Sequence, residues 1–206
     1  MRGPGDGGIC IRIGNAAWLT ACLCLSACIA TRPPQAPATA PVVWDSRLPV
    51  LQRSETWSLD GRVAASIGKQ GWQAGLAWSQ QGNITDLHFS GPLGLGTSEL
   101  RLTPEGLSVD GAPPRTDAAQ ILQERLGVDL PLASLRYWIL GVPDPDEPST
   151  VSRNAMDRAQ QLQQDGWTID IGRYVPVGSD WLPGQLTVQR DQVRVRIAVD
   201  HWNYPR

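Results

Sequence analysis

The chain has 206 residues, with 18 Lys+Arg against 20 Asp+Glu and a formal net charge of −2. That length suits one domain with a tail, and the near-neutral balance excludes the basic stripe of a nucleic-acid binder. With 21 Gly and 17 Pro the composition excludes a helix bundle and suits strands and turns, while aromatic use is lopsided at 9 Trp, 3 Tyr and 1 Phe.

Residues 1–27 read as a cleaved export signal. Arg2 and Arg12 precede an apolar run over residues 16–27, which is too short to span a bilayer but suits a signal-peptide core. The run ends in Leu25-Ser26-Ala27-Cys28, which resembles the bacterial lipobox. That resemblance implies a covalent N-acyl and S-diacylglycerol lipid on Cys28 and no other cofactor. Cys10, Cys22 and Cys24 leave with the signal, so the mature chain keeps no thiol for a disulfide or a zinc site. Ile29 stands where an Asp would signal inner-membrane retention in many Gram-negative lipoproteins, so the same resemblance implies the outer membrane. Residues 28–41 carry Pro33, Pro34, Pro37 and Pro41 without apolar periodicity. They form an extended tether with a reach of roughly 40 Å.

Residues 42–206 form the globular domain. A short helix is expected between Val42 and Arg53 despite Pro49. The period then changes to two. Trp57, Leu59, Val63, Ala65 and Ile67 alternate with polar residues, as do Trp72, Ala74, Leu76 and Trp78, then Leu87 and Phe89, then Leu100 and Leu102, then Leu107 and Val109. This predicts a five-strand antiparallel meander with one apolar face. Two amphipathic helices follow, over 117–126 with Thr116 as N-cap, and over 131–140 with Pro131 at its first helical position. A Pro-rich loop covers 142–148. Strands resume at Leu162. Asp165-Gly166 is a hairpin turn, Trp167, Ile169 and Ile171 alternate after it, and a final hairpin turns at Asp191-Gln192. The count is about nine strands.

A sheet of that size with one apolar face must curl and cover it. The expected fold is mainly β with α: a strongly curved antiparallel sheet forming an open, incomplete β-barrel, with a helical lid over an apolar cavity. Barrels of about eight strands hold a small ligand. The inward aromatics Trp57, Trp72, Trp78 and Trp167, with Leu59, Leu76 and Leu100 and with Leu135 and Trp138 from the lid, are the expected cavity lining. Core filling is the alternative reading of the same side chains.

The ordered set Trp57-Ser58-Leu59-Asp60-Gly61-Arg62-Val63, Leu76-Ala77-Trp78, Gly91-Pro92-Leu93-Gly94, Leu130-Pro131-Leu132, Leu135-Arg136-Tyr137-Trp138-Ile139-Leu140-Gly141, Asp165-Gly166-Trp167 and Trp202 resembles the LolB family of outer-membrane lipoproteins. The resemblance implies an open barrel with a helical lid, anchored on the periplasmic face of the outer membrane. It also implies acceptance of lipidated cargo proteins from a LolA-like periplasmic carrier and their insertion into outer-membrane lipid, by a monomer. The loop between Gly91 and Gly96 would be the insertion tip, with Leu93 its main apolar residue. Leu95 departs from the family pattern as a second leucine beside it.

An enzyme is not expected. Gly-x-Ser-x-Gly, His-Glu-x-x-His and a Walker A loop are absent. Gly91 to Gly96 has glycines without a Lys or a following helix. Asp86 and His88 share an outward face without a nucleophile. Asp144, Asp146 and Glu147 read as a solvated acidic loop. The alternative function is a structural or envelope-assembly lipoprotein that uses its curved sheet as a protein-binding face.

Overall fold

The computed structural model describes residues 44–91, 96–127 and 129–205. The order is α1 (Trp44–Gln52), β1 (Thr56–Ile67), β2 (Gln70–Gln81), β3 (Ile84–Ser90), β4 (Thr97–Thr103), β5 (Gly106–Val109), α2 (Ala118–Leu126) and α3 (Leu132–Trp138). Then come β6 (Ser149–Arg153), β7 (Ala159–Gln164), β8 (Trp167–Val177), β9 (Asp180–Arg190) and β10 (Val193–Asn203). α1 tolerates Pro49 because tertiary contacts hold it. Trp44, Arg47 and Leu51 are buried, and the Arg47 guanidinium donates to Asp180 at 2.9 Å.

All strands form one ten-stranded antiparallel sheet in the order β5-β4-β3-β2-β1-β10-β9-β8-β7-β6. It is two five-strand meanders joined side by side at β1 and β10. The chain between them, holding α2 and α3, crosses from the β5 edge to the β6 edge. Those edges do not pair with each other, so the barrel is open. Inward side chains from both margins, Leu107 on β5 and Leu162 on β7, belong to one buried cluster with the helical Leu122, Leu135 and Trp138. A flat sheet could not bring them together, so the sheet curls round the helices.

The seam between the meanders depends on two local features. A bulge shifts the register so that Asp60 faces His201 and Gly61 faces Val199. The extra residue turns Trp202 inward, where its ring meets Trp57 edge-on at 5.6 Å. Beside the bulge the backbones approach so closely that a Cβ on Gly61 would lie 2.2 Å from the Ala198 carbonyl oxygen.

The sheet has one strand more than the periodicity predicts. β6 was hidden because it is a polar edge strand in which only Val151 is half-buried against the core. The helices begin one residue later than expected. Asp117 rather than Thr116 holds the N-cap position, without a side-chain cap bond, because its carboxylate is engaged by Arg115 at 3.0 Å. The second helix ends at Trp138, and residues 139–141 continue as turns. Asp144 is not solvated: it is buried and accepts from Ser134 Oγ at 2.8 Å.

Candidate apolar binding slot

The concave face is covered by α2, α3 and the Leu130 segment between them. Between this cover and the sheet lies a slot with a residual cavity of about 30 Å³. Its sheet wall is Val63 and Ala65 of β1, Trp72, Leu76 and Trp78 of β2, Leu87 and Phe89 of β3, and Val195 and Ile197 of β10. Its roof is Leu130, Leu132 and Leu135. A space of that size matches one water, but walls without a polar group keep it dry. Trp72 and Phe89 are only half-buried and meet edge to face at 6.0 Å, so they mark the rim. Phe89 stands two residues before Gly91, whose N–H donates to the Gly96 carbonyl at 3.0 Å and closes the neck of the loop.

Four of the nine expected lining residues, Trp72, Leu76, Trp78 and Leu135, surround this slot. Trp57, Leu59, Leu100, Trp138 and Trp167 do not. They are almost fully buried in a solid core, with Trp57 against Trp78 at 5.1 Å and Trp138 against Trp167 at 6.4 Å. The expected open cavity is therefore replaced by a nearly filled interior. The physical reason is the roof: Leu130 and Leu132, with Ile139, Leu140 and Val142 after α3, are all buried and add apolar volume that the two helix faces alone do not supply. Period-two alternation places Val63, Ala65, Leu87 and Phe89 on the apolar face, but alternation does not tell which inward side chains border a void. Cys28, Leu93 and Leu95 lie outside the described residues.

The roof is fixed unevenly. Arg136 of α3 donates to the Gly82 carbonyl at 3.0 Å and to Asn83 Oδ1 at 3.1 Å, and it lies over its neighbour Tyr137, 4.5 Å from the ring centre. α3 is further held by Ser134, which donates to Asp144 at 2.8 Å, and by Trp138, which donates to Gln164 at 2.7 Å, whereas the described core contacts of α2 are apolar ones from Ala118, Ile121 and Leu122. Leu130 bridges the two helices directly over the slot. Opening the slot therefore asks least of α2 and Leu130.

The polar candidates sit elsewhere. His88 is exposed on the outer face, 3.9 Å from Glu99. Asp86 pairs with Arg101 at 3.0 Å. Among the described residues no group of acidic, His or Cys side chains could hold a metal ion, and no helix is long and apolar enough to cross a membrane.

Fold and slot define a class: an open antiparallel half-barrel with an apolar interior under a helical cover. The family model described as outer membrane lipoprotein LolB matches residues 55–202. The chain is 33% identical over 189 residues to an outer-membrane lipoprotein LolB of Nitrosococcus oceani, covering 89% of this chain and 94% of that protein. It is 31% identical over 174 residues to the same-named protein of Thiobacillus denitrificans, covering 82% and 86%. A LolA superfamily protein from Nitrosomonas europaea superposes with a TM-score of 0.50 at 8% identity, covering 80% of this chain and 94% of that one; this likeness concerns the fold. The chain belongs to the LolB family.

Proposed function

We propose that this protein is a lipid-anchored acceptor on the periplasmic face of the outer membrane. It takes lipidated proteins from a LolA-like carrier, holds their acyl chains in the slot, and passes them into outer-membrane lipid. The observation that carries this reading is the all-apolar slot between the sheet and the Leu130–Leu135 roof. Family membership over residues 55–202 supports it.

The energetics suit transfer without chemistry. Each acyl CH₂ removed from water contributes about 0.8 kcal/mol, so a long chain does not cross the periplasm free. In the closed state the roof leucines occupy the place an acyl chain would take. Entry exchanges leucine–wall contacts for acyl–wall contacts, and both are apolar. The exchange is close to neutral per unit area, which lets cargo enter and leave without bond making or breaking. Direction then comes from the differences in affinity between donor, acceptor and bilayer.

The anchor assigned to Cys28 keeps the domain at the membrane, and the loop between Gly91 and Gly96 is the insertion tip. The test uses the mature chain carrying Cys28→Ala behind a cleavable export signal. A fluorescent fatty acid should bind saturably and change the Trp72 and Trp78 emission, and acylated protein should co-purify. Absence of saturable binding in a folded sample would reject the acyl-acceptor reading.

A further inference from the structure

The outer face of the sheet carries a second feature, unrelated to the slot. A row of register partners crosses the centre of the sheet: Arg173 on β8, Gln185 on β9, Ala198 on β10, Arg62 on β1, Gly75 on β2 and Ser90 on β3. At about 4.8 Å between strands, Arg173 and Arg62 stand roughly 14 Å apart. Arg196 lies two residues along β10 from Ala198, on the same outer face, and is exposed. These three arginines border a groove of about 710 Å³ floored by Ala64, Gly75 and Ala198 and reaching Ser90 and Gly91.

The floor is low for a steric reason. A Cβ on Gly75 would lie 2.3 Å from Ser90 Oγ, so no larger side chain stands there. No carboxylate borders the groove. Arg62 is held by Asp200 through two hydrogen bonds, at 2.9 and 3.2 Å, which leaves Arg173 and Arg196 as the unneutralised cations of the groove. Asp170, two strands from Arg196, is engaged by Gln161 at 2.7 Å. Arg173 reaches only the Gly184 carbonyl, at 3.4 Å, and Arg196 has no ion-pair partner among the described residues. In a chain of net charge −2, this is a local excess of cation around a shallow, accessible floor.

We propose that this groove binds the phosphate of anionic phospholipid headgroups and so seats the domain on the membrane. The occupant follows from charge and position. Guanidinium groups in a planar array suit phosphate oxygens. The groove ends at Gly91, the neck of the 91–96 loop, so a loop tip in the acyl layer would place the arginines at headgroup depth. The proposal rests on the membrane-facing reading of that loop given above, and its test separates the two.

The test is flotation of the full mature chain carrying Cys28→Ala with two kinds of vesicle, phosphatidylcholine alone and phosphatidylcholine with phosphatidylglycerol. Each basic side chain near an anionic surface strengthens binding several-fold. Arg173→Gln with Arg196→Gln should therefore weaken binding to the anionic vesicles by about tenfold or more, and should leave binding to the neutral ones unchanged. Arg196→Lys should retain most of the binding, and raised salt should mimic the double variant. Leu93→Gln, which removes the apolar tip without adding charge, should weaken binding to both vesicle kinds alike. A double variant with unchanged thermal midpoint that still floats with anionic vesicles like the unmodified chain would overturn the groove proposal. So would loss of the lipid preference to an equal charge of polyglutamate at low salt, which would assign the groove to an acidic polypeptide. A Leu93→Gln variant without effect would instead reject the loop reading while leaving the groove standing.

Discussion

The Trp138 indole N–H donates to Gln164 Oε1 at 2.7 Å, and both side chains are buried. This bond ties the end of α3 to β7. The same oxygen accepts from the Asp144 N–H at 2.9 Å. The Gln164 amide donates to the Asp144 and Glu147 carbonyls, each at 2.8 Å. One buried amide thus satisfies the backbone where the chain leaves the helical cover for the second meander. It gives the roof a fixed end, against which α2 and Leu130 can move.

Gln164→Leu should destabilise the protein by about 3 kcal/mol, because it strands an indole N–H, a backbone N–H and two carbonyls, and each buried unsatisfied group costs about 1–3 kcal/mol. Urea unfolding followed by Trp emission measures it. A loss below about 1 kcal/mol would mean that water replaces the amide and that the roof is not pinned there.

Gly61→Ala should lower stability by about 1–3 kcal/mol. The added Cβ would stand 2.2 Å from the Ala198 carbonyl oxygen, forcing apart β1 and β10, the strand pair that joins the meanders. The thermal midpoint should fall by about 2–4 °C per kcal/mol for a domain of this size. An unchanged midpoint would show that the seam tolerates a wider spacing.

Ala65→Leu should fill the slot. Ala65 is 4% exposed and lines the residual cavity of about 30 Å³, so the larger side chain finds only part of the room it needs and should cost about 1–3 kcal/mol. Affinity for a fluorescent fatty acid should drop about tenfold or more, equivalent to 1.4 kcal/mol. Unchanged affinity in a folded variant would place the acyl chain elsewhere.

Much of this was legible in the sequence, for identifiable reasons. Period-two alternation located the first meander because each strand buries one face only. Asp165-Gly166 marked its hairpin through backbone preference, and both residues have positive φ, at 49° and 71°. β6 stayed hidden because an edge strand needs no apolar alternation. The site was read less well. Trp57, Trp138 and Trp167 looked like cavity walls because sequence records side-chain bulk and direction, not what packs opposite. Whether an inward ring meets a void or another ring is decided by contacts such as Trp57 against Trp202, which depend on a bulge that no local pattern announces. The arginine groove was invisible for the same reason: Arg62, Arg173 and Arg196 are far apart in the chain and meet only through strand register.

Stability should fall as pH rises past about 10. Tyr174 is half-buried, its hydroxyl donates to the Ala159 carbonyl at 2.8 Å, and burial pushes the phenol well above its ordinary value, against the opposing charges of Arg47 and Arg158. A raised pKa in the folded state means that the unfolded chain loses the proton first. The contribution is thus complete below about pH 10, the unfolded value, and declines as pH climbs towards the folded one. Tyr174→Phe should flatten urea midpoints between pH 9 and 11, at a cost of about 1 kcal/mol near pH 7 for the lost hydrogen bond. An identical pH slope in the variant would assign the loss to other groups.

Leu93→Glu should separate acceptance from release. Leu93 and Leu95 lie outside the described residues, but the neck of their loop is closed by the Gly91–Gly96 hydrogen bond at 3.0 Å, and Phe89 at the slot rim leads directly into it. In the sequence the two leucines stand among glycines and a proline, the composition from which the proposed apolar tip is read. Burying one leucine among acyl chains gains about 2 kcal/mol. That would suffice to orient the slot rim at the bilayer, and would be far too little to hold the protein there without the lipid proposed for Cys28. A glutamate at the tip reverses the sign, since a carboxylate does not enter the acyl layer. The variant should fold, bind a fluorescent fatty acid and accept cargo from a loaded carrier as before, while transfer to liposomes stops. Leu95→Glu should impair transfer less. The measurement is the partition of cargo between soluble and liposome fractions over time. Transfer by Leu93→Glu at the unmodified rate would remove the loop from the insertion step and leave the slot rim itself as the point of release.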